Sequence, residues 1–261
     1  MSKPSISQSA GRHFLTDRIR LEVDWRGTAQ SRGIAPPPAQ KPVPEGAKII
    51  PLPGRESWSI PPRDLQEAIA RRESRRRFLP SPLSREELAF LLWSTQGVRA
   101  RLHEAAVLRT IPSAGCRHPF ETYLAVFRVE DLAPGLYRYL PLDHALVLEK
   151  TPDLLSARVV AAARGQGFAG EAAVTFFWTA LPERTEWRYG EASYKVIALD
   201  AGHLCQNLYL ACEAVGAGTC AIAAYDQELA DDLLGVDGDD EFTIYLAPVG
   251  KIRCPADEAR R

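Results

Sequence analysis

The segment 30–62 limits what this chain can fold into more than any other feature of its sequence. It holds nine of the 20 prolines, in the stretches PPPAQKPVPEGAKIIPLPG and SIPPRD. Because proline has a fixed φ and no backbone N–H, this segment cannot form a helix or a central strand. Large apolar residues, which are scarce in disordered chains, also occur before residue 63: Trp25, Ile49, Ile50, Leu52 and Trp58. We therefore expect residues 1–62 to form an extended arm docked on a surface, of this chain or of a partner subunit, rather than a disordered tail.

The composition is that of a soluble globular protein. Of the 261 residues, 46% are hydrophobic and 25% are charged, and the formal net charge is −1. The five cysteines are odd in number and lack C-x-x-C spacing, and the five histidines lack ligand spacing, so we predict neither a disulfide framework nor a metal site. The N-terminus has no signal-peptide core, and the longest apolar stretch, 172–181, is too short to span a bilayer. We expect a cytoplasmic protein that binds no membrane.

Helix signals begin directly after the arm. The segment RDLQEAIARRE carries apolar residues at helical spacing. In LSREELAFLLWSTQG, Ser84 and Glu87 form a capping box and Gly97 occupies the position of a C′ glycine. In TPDLLSARVVAAARG, Thr151 is the predicted N-cap and Gly165 the terminator.

The longest predicted helix covers 193–215 and ends at Gly216. It is apolar on several faces, which is typical of a helix buried in a core or an interface. Asp226 is the predicted N-cap of a last, short helix that runs through Leu234.

Strand signals alternate irregularly with these helices. Six segments are rich in β-branched and aromatic residues: 122–129, 135–140, 144–150, 172–180, 218–225 and 242–250. Their order, with hairpin-like strands between groups of helices, indicates an α+β fold rather than regular βαβ alternation.

The segment 71–78, RRESRRRF, places five arginines in eight positions of a nearly neutral chain. Their partner could be water, nucleic acid, or the phosphate and ring of a nucleotide cofactor. The near-balanced charge disfavours nucleic acid, which normally requires a broad basic surface. Within the segment, Arg72, Ser74 and Arg76 form R-x-S-x-R, and planar guanidinium groups together with a hydroxyl suit a phosphate or a carbonyl.

A second segment, RTIPSAGCRHP at 109–119, predicts a tight loop. It combines Pro112, a serine hydroxyl and Gly115, and small residues there allow the backbone to approach a planar ligand closely. The sequence has no dinucleotide fingerprint, no P-loop, no H-E-x-x-H and no nucleophile elbow. The usual hydrolytic and phosphoryl-transfer constellations are therefore absent.

These blocks resemble the SagB-type dehydrogenases, a branch of the FMN-dependent nitroreductase superfamily. The resemblance rests on the arm LEVDWRGTAQSRGIAPPPAQKPVPEGAKIIPLP, on ARRESRRRFLPSPLSREELAFLLWSTQGVR and on RTIPSAGCRHPFETYLAVFRVEDLAPGLYRYL. It continues through DAGHLCQNLYLACEAVGAGTCAIAAYD and the final IYLAPVGK, in family order.

The resemblance implies a nitroreductase-like α+β fold in residues 63–261, with a central, mainly antiparallel sheet surrounded by helices. It implies a homodimer, with the long buried helix at its interface and two FMN sites each lined by both chains.

In such a protein the R-x-S-x-R block would bind the flavin phosphate, the ribityl chain and the ring edge, and the 112–115 loop would press on the ring from the partner chain. The implied cofactor-binding residues are Arg72, Glu73, Ser74, Arg76, Pro112, Ser113, Ala114, Gly115, Ile222, Ala223, Ala224, Lys251 and Arg253. Among these, Ala223 would offer its N–H to flavin N5.

Several residues depart from the family pattern or leave their roles open. Glu73 stands where the family commonly has a basic, His or Tyr residue, so its carboxylate must point away from the phosphate or pair with an arginine. Tyr194 and Lys195 stand in reverse order to the Lys–Tyr pair that azoline-oxidising members use, and helix packing is the competing interpretation. His118 is a candidate proton donor or a structural loop residue. Cys116 is a small thiol, for which a redox role is the minority interpretation.

Three functions remain open from the sequence. The first is an FMN oxidoreductase that takes a hydride from NADH or NADPH and passes electrons to a small nitroaromatic, quinone or similar acceptor. The second is a dehydrogenase that oxidises thiazolines or oxazolines in a peptide or a small-molecule natural product. The third is a non-catalytic flavin-binding protein that acts through partners. Each would bind a small molecule or a peptide and no nucleic acid.

Overall fold

The computed structural model describes residues 10–103 and 106–253. Its centre is a seven-stranded sheet. The strands of this sheet are β1 (Ile49–Pro51), β4 (Phe120–Val126), β5 (Gly135–Leu140), β6 (Ala145–Lys150), β7 (Val174–Ala180), β8 (Ala217–Thr219) and β9 (Phe242–Lys251), while β2 (Val98–His103) and β3 (Ala106–Arg109) form a separate hairpin. The order in the seven-stranded sheet is β1-β6-β5-β4-β7-β9-β8, and every pairing between its strands is antiparallel. The predicted α+β fold with a mainly antiparallel sheet is confirmed.

Helices cover both faces of the sheet. They are α1 (Ala10–Leu15), α2 (Leu65–Arg71), α3 (Arg85–Gln96), α4 (Leu155–Ala162), α5 (Phe168–Glu171), α6 (Glu183–Tyr189), α7 (Ser193–Ala214) and α8 (Gln227–Leu234). On one face, α3 and α7 pack over Phe176 and Trp178 of β7, and on the other, α4 and α8 pack over Phe177. Because side chains alternate along a strand, β7 supplies both cores and is buried along its whole length.

Local signals located three helices correctly. The capping box at Ser84 and Glu87 is present, and Asp226 accepts a hydrogen bond from the Leu229 N–H at the start of α8. The long helix α7 ends at Ala214, one residue before the predicted end, and Gly216 follows with a φ of 60°. These signals depend on contacts within four residues of the chain, which the sequence displays directly.

Two helix ends differ from expectation. Helix α4 begins at Leu155 instead of next to Thr151, because the chain first makes a turn in which Leu154 takes a left-handed φ of 52°. Gly97 ends α3, but its φ of −59° is not that of a C′ glycine. A Cβ there would lie 2.3 Å from the Trp93 side chain, so glycine is needed for space rather than for a positive φ.

The predicted strands differ from the structure mainly at the end of the sheet. Of the predicted strand 218–225, only the first two residues form a strand, as part of β8. After Thr219 the chain separates from β9, and of the residues that follow only Ile222 pairs with β9 again. Sequence reasoning did not predict β1, β2 or β3. Strand β1 contains Pro51 and lies at the edge of the sheet, where a missing N–H is tolerated.

The arm lies on its own chain over much of its length. Leu52 is buried, and Ile50 and Trp58 pack against the core of the α3–α7 face. Trp25 and Ile49 are not covered by their own chain and stay 39% and 50% exposed.

Buried charges hold the arm in place. Arg138 of β5 donates hydrogen bonds to the backbone oxygens of Lys41 and Pro42, at 3.1 and 2.9 Å, and pairs with Glu149 at 2.6 Å. Glu121 of β4 accepts a hydrogen bond from the Lys41 N–H at 2.9 Å and pairs with Arg184. The extended segment thus provides backbone oxygens that buried guanidinium groups require.

The same principle applies to Arg109, which is 3% exposed. Its guanidinium donates to the Ala39 oxygen at 2.6 Å and to the Gln96 side chain at 2.5 Å. Desolvation, together with the nearby charge of Arg184, lowers the pKa of Arg109 to about 10. The side chain therefore stays charged at neutral pH and relies on these two acceptors.

We expect the Arg138→Ala substitution to lower the free energy of unfolding by about 3–5 kcal/mol, because it removes a buried guanidinium and leaves the half-buried carboxylate of Glu149 and two arm carbonyls without their donor. Chemical denaturation monitored by tryptophan fluorescence measures this change. The matched control is Arg158→Ala, which breaks an exposed ion pair with Asp232 and should cost about 0.2–1 kcal/mol. Equal effects of the two substitutions would contradict a clamping role for Arg138.

Candidate functional site

The arginine block, residues 71–78, pairs through its backbone with the edge of the sheet at β8. After α2 ends at Arg71, Ser74 makes a parallel bridge to Thr219, and the Arg75 N–H donates to the Thr219 oxygen at 2.9 Å. Farther along, the Leu79 N–H donates to the Lys251 oxygen at 2.8 Å. Backbone pairing at both ends therefore fixes the arginines relative to the sheet.

Two glycines leave room for the block. A Cβ at Gly218 would lie 2.6 Å from Cγ of Arg75, and one at Gly250 would lie 2.8 Å from Cγ of Phe78. Gly218 lies in β8 and Gly250 in β9, and each faces the side chain that it accommodates. Their function is close approach rather than a special backbone conformation.

The block lines a cavity of about 510 Å³, which we call the arginine cavity. Its walls are Glu73, Ser74, Arg75, Arg76, Arg77, Phe78, Leu79, Ile252 and Arg253. Four arginines thus face one glutamate, and Glu73 pairs with Arg75 at 2.6 Å, which is one of the two arrangements expected for it. The Nε of Arg75 is buried without a hydrogen-bond partner among the described residues. The surplus of guanidinium N–H groups suits an anion with several acceptor oxygens.

Tyr209 of α7 joins the arginine block to the loop that follows β8. Its hydroxyl lies 3.0 Å from Oγ of Ser74 and accepts a hydrogen bond from the Ala221 N–H at 2.8 Å. The guanidinium of Arg72 lies over its ring, 5.3 Å from the centroid. Sequence reasoning missed both Tyr209 and Arg75; for Tyr209, the only available signal was a phenol within the otherwise apolar stretch NLYLAC.

The loop 221–224 presents backbone rather than side chains. Ile222 is buried and exchanges two backbone hydrogen bonds with Leu246 of β9, at 2.8 and 3.1 Å. Ala223 is exposed, and its N–H makes no hydrogen bond with any residue that the structure describes. The Ala224 oxygen accepts a hydrogen bond from Gln166 at 3.0 Å. Ala223 and Ala224 therefore both have an exposed N–H with no acceptor among the described residues, and only Ile222 is excluded as the donor that the resemblance requires.

The 112–115 loop contacts α7 at a different position, Asp200, nearer the start of the helix. The Ala114 N–H donates to Asp200 at 3.1 Å, and Oγ of Ser113 accepts from the His118 N–H at 2.9 Å. Asp200 is buried; desolvation raises its pKa, and hydrogen bonds from Ser113 and Ala114 oppose the rise. Because nine residues separate Asp200 from Tyr209, the two contacts lie about 13 Å apart along the helix axis. One chain therefore does not bring this loop to the arginine block.

The backbone around the 112–115 loop is unusual. Gly115, Cys116 and His118 have positive φ values of 59°, 55° and 45°. A Cβ at Gly115 would lie 2.8 Å from side-chain atoms of Arg188 and Tyr189, so this glycine is required for space as well as for its conformation.

His118 is buried, with 3% of its surface exposed. Desolvation, helped by the positive charge of Arg109, lowers its pKa to about 3, and its Nδ1 has no hydrogen-bond partner among the described residues. At neutral pH the imidazole is therefore uncharged, and an imidazolium is not available as a proton source. Cys116 beside it is a half-buried free thiol.

Tyr194 and Lys195 lie in the first turn of α7. Tyr194 is 47% exposed, and its pKa is raised by partial burial and by a hydrogen bond to Glu186. Fifteen residues separate Tyr194 from Tyr209, which is about 22 Å along the helix. Within one chain, Tyr194 and Lys195 lie at the helix end near the 112–115 loop and far from the arginine cavity.

Lys251 and Arg253 have different surroundings. The Nζ of Lys251 pairs with Glu87 and donates to the Val215 oxygen at 2.7 Å, so it ties α3 to the end of α7 and does not line the arginine cavity. Arg253, the last described residue, is exposed and does line it. Only the second of these two residues therefore stands where a phosphate contact was expected.

Two negative findings apply to residues 10–103 and 106–253. Their His, Cys, Asp and Glu side chains form no group of three that could hold a metal ion. None of their helices has the length and hydropathy needed to cross a membrane.

We expect the low pKa of His118 to make the protein acid-sensitive. Between the ordinary histidine pKa of about 6.5 and the folded value of about 3, the unfolded state binds a proton that the folded state excludes, so stability is lost as the pH falls. Between pH 7 and pH 4, His118 should account for a loss of at most roughly 3 kcal/mol in the free energy of unfolding.

The measurement is urea denaturation from pH 7 to pH 4 for the unmodified protein and for His118→Asn, since asparagine tolerates the positive φ. The variant should lose less stability on acidification, whereas parallel pH profiles would show that His118 is not buried as a neutral side chain.

Comparisons with known proteins place this geometry in context. The model of the nitroreductase family matches residues 69–251. A protein of Methanocaldococcus jannaschii described as a nitroreductase is 31% identical over 188 residues, which is 72% of this chain and 90% of that protein. The trifolitoxin-processing protein TfxB of Rhizobium leguminosarum bv. trifolii is 28% identical over 171 residues, or 61% of this chain, but only 45% of the length of TfxB is covered.

Solved structures share the fold. The structure of a nitroreductase from Ralstonia eutropha superposes with a TM-score of 0.65 at 27% identity, covering 85% of this chain and 96% of that one. A nitroreductase from Exiguobacterium sibiricum, solved in complex with FMN, superposes with a TM-score of 0.53 at 14% identity, covering 76% of this chain and 96% of that one. The second likeness is evidence of a common fold alone.

Proposed function

Because the chain belongs to the nitroreductase family, we propose that it is an FMN-dependent oxidoreductase. In this proposal NADH or NADPH reduces the flavin, and a small electrophilic acceptor, such as a nitroaromatic compound or a quinone, reoxidises it. The fold is that of a nitroreductase, and one structure of this fold holds FMN.

The observation that carries the proposal is the arginine cavity next to the Tyr209 hydroxyl. A dianionic phosphate fits a wall of four arginines in which one guanidinium Nε is buried without an acceptor. The pairing of Glu73 with Arg75 reduces the repulsion that the carboxylate would otherwise exert on a phosphate. A ring bound beside this cavity would find the exposed Ala223 N–H on the neighbouring loop.

Bound FMN would supply the hydride chemistry, and the protein would supply binding and electrostatics. Arg76, Arg77 and Arg253 would hold the phosphate, since their side chains line the cavity and are exposed. Arg72, held over the Tyr209 ring, would place a fixed positive charge near the ring edge, where it stabilises negative charge that develops on reduction. Ala223 would donate its N–H to the ring.

We further propose that the complete site forms in a homodimer. In one chain the 112–115 loop lies about 13 Å along α7 from the Tyr209 contacts, so it reaches a ring bound there only from a second copy. Large apolar side chains remain exposed along α2 and α7, including Leu65 at 63%, Ile69 at 57% and Leu199 at 52%. A partner subunit would bury them.

A second candidate function is the oxidation of thiazolines or oxazolines in a peptide or small natural product, as in SagB-type dehydrogenases. The similarity to TfxB, a trifolitoxin-processing protein, favours it. The positions of Tyr194 and Lys195 are compatible with it only if the partner's copies serve each site, because within one chain Tyr194 lies about 22 Å along α7 from Tyr209.

We expect the purified protein to be yellow and to release FMN on heating. Under anaerobic conditions NADH or NADPH should bleach the flavin absorption, and a nitroaromatic compound or quinone should restore it. If neither nicotinamide bleaches the flavin but an azoline peptide does, the second function is correct. A colourless protein that takes up no added FMN would exclude both enzymatic functions.

We expect Arg76→Gln to weaken FMN binding roughly 10- to 100-fold, because a hydrogen bond between charged groups contributes about 1.5–3 kcal/mol. Titration of apoprotein with FMN, followed by quenching of flavin fluorescence, measures the change. Arg158→Gln, which removes an exposed arginine at α4, is the matched control and should leave the affinity unchanged. Equal affinities of all three proteins would place the phosphate elsewhere.

A further inference from the structure

Tyr209 brings together three segments that are far apart in the sequence. It lies on α7, its hydroxyl contacts Ser74 in the arginine block, and the same hydroxyl contacts Ala221 in the loop after β8. Its ring carries the guanidinium of Arg72. No other described side chain makes hydrogen bonds to both the arginine block and the loop.

The chemistry of the groups fixes the direction of the hydrogen bond between Ala221 and Tyr209. The backbone N–H of Ala221 can only donate, so the Tyr209 oxygen accepts at 2.8 Å. Either hydroxyl can donate across the 3.0 Å contact between Tyr209 and Oγ of Ser74, and Oγ of Ser74 is the one acceptor that the described residues offer to the phenol proton. Hydrogen bonds that run in one direction through hydroxyl groups polarise and strengthen one another. The arrangement that gives the phenol proton an acceptor is Ala221 N–H to Tyr209 O–H to Ser74 Oγ.

This direction leaves the Ser74 proton free. A serine hydroxyl that accepts from a phenol turns its own hydrogen away from it, and Ser74 is exposed and lines the arginine cavity. Tyr209 joins Ser74 to the loop after β8, beside which the flavin ring is proposed to lie, so a hydroxyl held in this way presents its donor on the ring side of the cavity. Without Tyr209 the hydroxyl would rotate freely and would also act as an acceptor.

We propose that Tyr209 is a positioning residue that orients the Ser74 hydroxyl as a hydrogen-bond donor toward an acceptor atom at the ring edge of bound FMN. The inference rests on the proposed FMN function and deepens it. In this proposal Tyr209 does not touch the flavin and acts through Ser74. The Ala221 N–H donates to the phenol oxygen and so leaves the phenol proton for Ser74.

The test compares Tyr209→Phe with the unmodified holoprotein. Phenylalanine keeps the ring that carries Arg72 and removes only the hydroxyl. We expect FMN affinity to fall roughly three- to tenfold, the effect of one hydrogen bond, and the reduction potential of the bound flavin to become more negative. The potential is the decisive readout, since a merely structural hydroxyl would change stability and leave the potential alone.

A double-mutant cycle tests whether Tyr209 acts through Ser74. FMN affinity and potential are measured for Ser74→Ala, Tyr209→Phe and the double variant. If the proposal is correct, Tyr209→Phe changes the affinity less than about twofold in the Ser74→Ala background, because the hydroxyl it orients is already absent. Additive effects would overturn the proposal.

Tyr137→Phe is the matched control. Its hydroxyl also makes a hydrogen bond, donated to the Ala133 oxygen at 2.7 Å, but it lies by the β5 hairpin, away from the arginine cavity. This variant should bind FMN with unchanged affinity and potential. If the unmodified protein binds no FMN, the proposed function fails; if it binds FMN and Tyr209→Phe matches it in affinity and potential, only the role of Tyr209 fails.

Discussion

Charges buried beside the central sheet are the constraint on which the arrangement of the whole chain depends. Glu121 and Glu241 are almost fully buried, and a carboxylate in that environment is stable only with cationic and hydrogen-bonding partners. Glu121 pairs with Arg184 and accepts a hydrogen bond from the Lys41 N–H. Glu241 pairs with the Lys41 ammonium and accepts hydrogen bonds from the hydroxyl groups of Tyr123 and Thr179. Because Lys41 contributes to both sites, the proline-rich arm is part of the electrostatic structure of the sheet and not an appendage to it.

The arm in turn completes one face of the core. Arg109 and Arg138 use backbone oxygens of the arm as acceptors, and Leu52 and Trp58 cover apolar surface next to α3. An extended, proline-rich segment has carbonyl oxygens along its length that are free to accept hydrogen bonds, whereas in a helix or sheet they would be paired with backbone N–H groups. It is therefore suited to satisfy buried guanidinium groups while its apolar side chains pack.

Helix α7 plays a comparable part for the candidate site. Asp200 holds the 112–115 loop, and Tyr209 holds Ser74 and the loop after β8. A buried helix is a rigid spacer, so the roughly 13 Å between these two positions cannot be closed by small motions. The separation is the physical reason for proposing that two chains build each flavin site.

The sequence by itself determined what depends on neighbouring residues. The caps at Ser84 and Asp226, the stop at Gly216 and the cluster of arginines beside Ser74 are contacts or compositions within a few residues. The order of the helix and strand signals was enough to indicate α+β. The tertiary structure decided everything that joins distant residues. Ser74 and Tyr209 are 135 positions apart, and Lys41 and Glu241 are 200 apart, so neither pairing leaves a local signal. Likewise, the pKa of His118 and the partners of Lys251 follow from burial and from charges that only folding brings near.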